Sequence, residues 1–380
     1  MCIRDRDHLP WHTREDYARL RDWGFNHVRY LVFWEAIEPE RGVFDEQYLA
    51  DTVERIGWLA ELDIDVIVDI HQDLYGRRFG NAGFPVWATD DGGIEVEPLT
   101  PWHRNYFTRA LWTSFDHFWR SADLRAAYVA MVEHLLSKVD RLPNVVGLDP
   151  MNEPWPAYSF VFERAYLSSF YEEIGVMCER NGFGTPLFFE PAVTKTVALP
   201  SLLAFEPDAG CVYYPHYYDP MAHDGMPYTG FGQRLLEATV RQRIREANRL
   251  GTPLMFGEWG VGRNARHYSV FLRDFLRLMN DYHLGWTYWS YDHEAGRGFG
   301  IIRPDGRPDP KLNYLVYVYP QRIAGENPEL DYGPQHFELT YDPIDTDAPT
   351  VVFVPACLEG VRVFINGRPI LLEAEVFPLT

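Results

Sequence analysis

Short apolar runs alternating with amphipathic helical repeats constrain this chain more than any other feature. Phe25–Phe33, Ile64–Ile70, Val145–Leu148, Pro186–Glu190, Cys211–Tyr214, Pro253–Phe256 and Gly285–Trp289 each have the length and apolar content of a buried strand. Between most of them, apolar residues recur every three or four positions, as in Leu49, Val53, Ile56, Leu59 and Ala60. Thr13 and Asp45 read as helix N-caps, and Gly24 and Gly251 as helix stops. Strands that alternate with helices predict a parallel sheet covered by helices. No GxGxxG or GxxxxGK(S/T) pattern follows any strand, which argues against an open nucleotide-binding sheet. Polar and aromatic residues gather instead just after the strand ends, the disposition of an α/β fold closed as a (β/α)8 TIM barrel.

Seven strands are one short of that barrel. The opening Met1-Cys-Ile-Arg-Asp-Arg6 reads as a non-native leader, and a first strand missing upstream of residue 7 accounts for the deficit. The barrel domain is then expected over residues 7–318. Residues 74–120 read as one long irregular stretch rich in Gly, Trp, Phe and His, the composition of a lid or binding loop. From residue 319 the texture changes to short alternating strands, Phe337–Tyr341, Thr350–Val354 and Val361–Ile365, with Asn366-Gly367 as a hairpin turn. This predicts a small antiparallel β-sandwich module over 319–380, itself cut short.

The bulk numbers narrow the partners. A formal charge of −20 argues against nucleic acid, whose phosphates need clustered cations. No apolar run approaches the roughly 18 residues that span a bilayer. Four cysteines without CxxC spacing, and no HExxH or EF-hand pattern, point to neither a metal nor another cofactor. With 12 Trp, 23 Tyr and 24 Phe, the chain is unusually aromatic, which suits both core packing and stacking on sugar faces.

Two glutamates stand out at strand ends, Glu153 in Asp149-Pro-Met-Asn-Glu-Pro-Trp155 and Glu258 in Phe256-Gly-Glu-Trp-Gly260. Counted with the absent strand as the first, they follow strands four and seven and face each other across the mouth. Breaking a glycosidic bond needs one carboxylic acid to protonate the leaving oxygen and one carboxylate to attack the anomeric carbon or activate water. A single glutamate would by default be a solvated loop residue; two, on such strands and beside the Asn152 amide, make a candidate pair. Arg29 is an inward arginine at a strand end, costly without a partner, which favours a role in the site, and simple pairing with a core carboxylate is its alternative. His71 with Gln72 and Asp73 suits sugar binding, and a satisfied core histidine is its alternative. Trp289 suits stacking or core.

These segments resemble glycoside hydrolase family 5, and within it the endoglycoceramidases. The resemblance is carried by Asn26-His-Val-Arg29, Asp69-Ile-His-Gln-Asp-Leu-Tyr75, Phe115-Asp-His-Phe-Trp119, Asn152-Glu-Pro-Trp155, Tyr214-Pro-His-Tyr217 and Gly257-Glu-Trp-Gly260, and it spans roughly residues 11–320. It implies a retaining mechanism with Glu153 as acid/base and Glu258 as nucleophile. It further implies that Arg29 supports the nucleophile, that His71, Asp73 and Asn152 contact the sugar, that His216 lies near the pair, and that Trp289 stacks beneath the sugar. Tyr217 or Tyr218 should bond Glu258, and spacing from His216 favours Tyr218. The implied substrate is a glycolipid or oligosaccharide, with a glycosphingolipid preferred and transient contact with a lipid surface. Phe84, Trp87, Trp102, Phe107, Trp112 and Phe115 could line an acyl-chain groove or pack a lid. A β-glucosidase acting on glucosylceramide or steryl glucosides, an endo-β-glucanase and a catalytically dead carbohydrate-binding barrel share the same motifs. Localisation cannot be read from this N-terminus; the resemblance implies secretion.

Overall fold

The computed structural model describes residues 2–3, 11–97, 99–100, 102–293, 298–333 and 336–370. Strands β1 (Cys2–Ile3), β2 (His27–Val32), β3 (Asp65–Ile70) and β4 (Val145–Asp149) pair in parallel and in chain order. A parallel bridge from Leu148 to Leu187 leads to β5 (Phe188–Phe189), which pairs with β6 (Val212–Tyr213). A bridge from Tyr213 to Leu254 continues toward β7 (His216–Tyr217), β8 (Met255–Trp259) and β9 (Gly285–Tyr288), which pair in that order. His27 Nε2 and Thr287 Oγ1, 3.0 Å apart, join β2 to β9 and bring the last strand back to the second. The architecture is a TIM barrel.

Two differences from the sequence reading have simple causes. The stretch set aside as a leader contributes β1, whose Cys2 and Ile3 lie in register with Arg29 and Tyr30. Pairing of this kind uses backbone groups alone, so an extended segment of any sequence can satisfy the open edge of β2. The sixth strand is split into β6 and β7 around Tyr214-Pro215, because Pro215 has no N–H for the ladder. Its carbonyl still accepts from the Gly257 N–H at 3.1 Å.

Helices Arg14–Asp22, Glu46–Ala60, Ala122–Val139, Ser168–Asn181, Gly230–Leu250 and Tyr268–Asp281 cover the sheet. Thr13 caps the first through a capping box with Asp16, Asp45 accepts from the Gln47 and Tyr48 amides, and Ser121 accepts from Leu124. Each such cap contributes about 1 kcal/mol. The 74–120 stretch is more regular than expected, because Arg109–Arg120 is a helix. Its buried Ala110, Leu111, Ser114, Phe115, Phe118 and Trp119 follow the helical period, a pattern obscured by the aromatic residues around it. Phe84 and Phe115 are buried in a ring cluster with Tyr75 and Phe118, so they pack core and do not line an open groove. The Trp102 side chain lies outside the described ones.

Beyond the barrel, β10 (Tyr319–Arg322) pairs antiparallel with β13 (Val351–Phe353), β11 (Gly325–Gly333) with β12 (His336–Pro343), and β14 (Val363–Ile365) with β15 (Arg368–Ile370). Asn366 and Gly367 both have positive φ, as a primed hairpin turn requires. This region docks where β2 begins. Gln321 donates to Gly24 O at 2.8 Å, and Asn26 donates to Gln321 O at 3.3 Å. Gly24 has φ +85°, and a Cβ there would fall 2.4 Å from the Phe353 ring, so both its conformation and its neighbour require glycine.

Candidate active site

Parallel strands deliver their C-terminal ends to one face of the barrel, and the polar residues of those ends converge there. Glu258 lies within β8, 5% exposed, and Glu153 follows β4. Gly257, beside Glu258, faces Tyr214, whose ring would stand 2.7 Å from an added Cβ. Only glycine lets β8 approach that closely.

Glu153, His216 and Glu258 each place one donor atom within 4.8 Å of the others. His216 Nδ1 is 3.0 Å from Glu153 Oε1 and 4.0 Å from Glu258 Oε1. Arg29 Nη1 donates to Glu258 Oε2 at 3.0 Å, and the Tyr218 hydroxyl donates to Glu258 Oε1 at 2.7 Å. Burial raises the Glu258 carboxyl, while the His216 and Arg29 cations oppose the rise. Tyr217, the alternative to Tyr218, is fully buried and packs on Phe271 and Phe275. Strand alternation separates these neighbours, turning one inward and the other toward the helices.

Arg29 is wholly buried at the centre of a carboxylate ring. Its Nη2 donates to Asp149 at 2.7 Å and to Asn152 Oδ1 at 2.8 Å and lies 3.3 Å from Glu190, while Nη1 is 3.0 Å from Asp69. Arg29 thus contacts core carboxylates and Glu258 at once. This guanidinium also supplies the ring with a cation of its own. Asn152 donates its amide to Gln72 O at 2.9 Å, and Gln72 in turn donates to the carbonyls of Asn152 and Glu153 at 2.9 and 3.1 Å.

His71 is paired through Nδ1 with Asp69 at 2.7 Å, and its Nε2 is 3.5 Å from Asp73. Burial alone would lower its pKa, but the two aspartates outweigh that and push it up to about 9. Asp73 is steadied by the Tyr106 hydroxyl at 3.3 Å. The Trp289 ring lies parallel to His71 with centroids 5.6 Å apart and remains half-buried, so one face is packed. All nine residues singled out in the sequence therefore sit at this mouth.

Three more carboxylates belong to the site without having been singled out: Asp69, Asp149 and Glu190, all buried. Glu190 ends an apolar strand run just as Glu258 does, and that pattern was the available signal. Burial drives its pKa well above the usual carboxylate range, Asp149 adds to the rise, and His216 and Arg29 oppose it.

The family pattern of Cellulase (glycosyl hydrolase family 5) matches residues 6–295. The chain belongs to glycosyl hydrolase family 5. Within that family it is 28% identical over 375 residues to endoglycoceramidase I of Rhodococcus hoagii (strain 103S), covering 90% of this chain and 72% of that protein. Endo-glycoceramidase II from Rhodococcus sp. in complex with ganglioside GM3 superposes with a TM-score of 0.85 at 27% identity, over 92% of this chain and 84% of that one. The same enzyme as a lactosyl-enzyme intermediate gives a TM-score of 0.84 at 27% identity, over 94% and 86% of the two chains.

Proposed function

We propose that this family 5 glycosidase is a retaining enzyme that cleaves the β-glycosidic bond between glycan and ceramide in glycosphingolipids, with Glu258 as nucleophile and Glu153 as acid/base. The observation that carries the mechanism is that one oxygen of each carboxylate lies within 4.8 Å of the other. Retaining enzymes hold their carboxyl groups about 5–5.5 Å apart, whereas inverting enzymes leave roughly 6.5–9.5 Å for a water. In the first step Glu258 attacks the anomeric carbon as the C–O bond to the aglycone breaks, and Glu153 gives its proton to the departing oxygen. In the second, Glu153 takes a proton from water, whose oxygen forms the new bond to the anomeric carbon as Glu258 leaves. Arg29 and Tyr218 keep Glu258 ionised and aimed. His71, Asp73 and Asn152 bind sugar hydroxyls, and Trp289 stacks beneath the ring.

The substrate reading is supported by the Rhodococcus relatives and by the surface beside Glu153. Phe107 is 75% exposed, with its ring edge-on to Trp155, and Trp112 stacks on Tyr158. Phe160 is fully exposed and Val161 half exposed. Exposed apolar side chains on and around Trp155, two residues after the acid/base, suit a lipid aglycone and the lipid surface that presents it. Residues 319–370 read as part of a sandwich-like module.

The test is product analysis on lactosylceramide, with Glu258→Gln as blank. Intact lactose and ceramide, absent with Glu258→Gln, are expected. Glucose released from glucosylceramide or a steryl glucoside, with lactosylceramide untouched, would replace this reading by an exo-acting one.

A further inference from the structure

Glu190 touches both the Glu153 main chain and its histidine neighbour. Glu190 Oε2 accepts the Glu153 N–H at 3.1 Å, and Oε1 lies 3.0 Å from His216 Nε2. The second contact is within ion-pair distance but lacks hydrogen-bond geometry. His216 Nδ1 in turn meets Glu153 Oε1, so the chain of contacts runs Glu190, His216, Glu153 and returns through the backbone. Glu153 has φ +44°, a left-handed conformation that side-chain-bearing residues seldom adopt and that needs outside support. Glu190 is itself fixed: its carbonyl accepts from the Tyr171 hydroxyl at 2.8 Å, and its N–H donates back to that oxygen at 3.2 Å.

We infer that Glu190 is a positioning residue for the acid/base, holding the strained Glu153 backbone with one oxygen and balancing a protonated His216 with the other. The inference rests on Glu153 being the acid/base. When Glu153 has given up its proton to the leaving oxygen, the His216 Nδ1–H stabilises the new carboxylate, and Glu190 keeps that imidazolium in place. The charged groups facing His216 are Glu153 after β4, Glu190 after β5 and Glu258 on β8. Behind Glu190 stand Arg29 of β2 and Asp149 of β4. Carboxylates surround His216 on three sides; burial pulls its pKa down, yet they carry it well above the usual imidazole value.

The experiment compares wild type, Glu190→Gln, Glu190→Asp and Glu153→Ala on dinitrophenyl and phenyl β-lactosides, with and without sodium azide. A dinitrophenolate leaves without protonation and a phenolate needs help, so a damaged acid/base shows as a leaving-group-dependent loss. Azide attacks the glycosyl-enzyme directly, breaking the bond to Glu258 without general base, and yields glycosyl azide. For Glu190→Gln we expect a loss of about 10- to 100-fold on the phenyl glycoside, little on the dinitrophenyl one, and partial azide rescue. Glu190→Asp, which keeps the charge and carries the test if Glu190→Gln does not fold, should show the same pattern more weakly. Equal losses on both substrates with no azide product, while Glu153→Ala shows the full pattern, would overturn the role of Glu190 alone. If Glu153→Ala also lacks the pattern, the acid/base assignment itself fails.

Discussion

Tyr218 donates its hydroxyl hydrogen to Glu258 Oε1 across 2.7 Å, from a segment that reaches the mouth only because β7 ends beside β8. A hydrogen bond to a charged group is worth roughly 1.5–3 kcal/mol. Tyr218→Phe should therefore lower kcat/KM on an aryl lactoside by about 10- to 100-fold. A variant with unaltered kcat/KM would remove Tyr218 from the site.

Arg29 is expected to dominate the stability of the site. Its guanidinium is the buried partner of Asp69, Asp149, Glu190 and Glu258, and removing it strands their charges. Breaking a buried pair by deleting one partner costs about 3–5 kcal/mol. Arg29→Met should lose that much in urea unfolding and be inactive. Arg29→Lys should recover only part, because an ammonium cannot present the same fork of donors.

His71 makes stability depend on alkaline pH. Its folded pKa is raised to about 9 from 6.5, so the contribution is fully present below the unfolded value and is lost as pH rises through the folded one. By linkage the contribution is on the order of 3 kcal/mol, falling away between about pH 6.5 and 9. Unfolding free energies measured across that range should decline for wild type and be flatter for His71→Gln. Parallel curves would contradict the assignment.

The exposed apolar side chains should matter only when the substrate is presented in lipid. Phe107→Ser combined with Phe160→Ser is expected to reduce hydrolysis of lactosylceramide in vesicles several-fold and to leave hydrolysis of a soluble aryl lactoside unchanged. Equal effects on both would assign these rings to packing.

Much of this was legible in the chain because strand and helix periods were clean and the two glutamates ended apolar runs. The distinction between Tyr217 and Tyr218 followed from alternation along a strand. What stayed hidden depended on closure. Asp69, Asp149 and Glu190 look like ordinary polar residues in sequence, and their inward direction is defined only once β3, β4 and β5 curve around Arg29. The helix Arg109–Arg120 was masked by its own aromatic residues, and β1 carries almost no sequence signal because its pairing is made by backbone alone.

The docking of Gln321 and Phe353 on Gly24 places the C-terminal strands at the end of the barrel where strands begin, away from Glu153 and Glu258. Glu153 and Glu258 lie at the opposite rim. If the rim rests on a bilayer, the two products of a single cleavage have separate exits. The ceramide stays in the leaflet beside Phe107, the glycan departs into water, and neither has to pass the other.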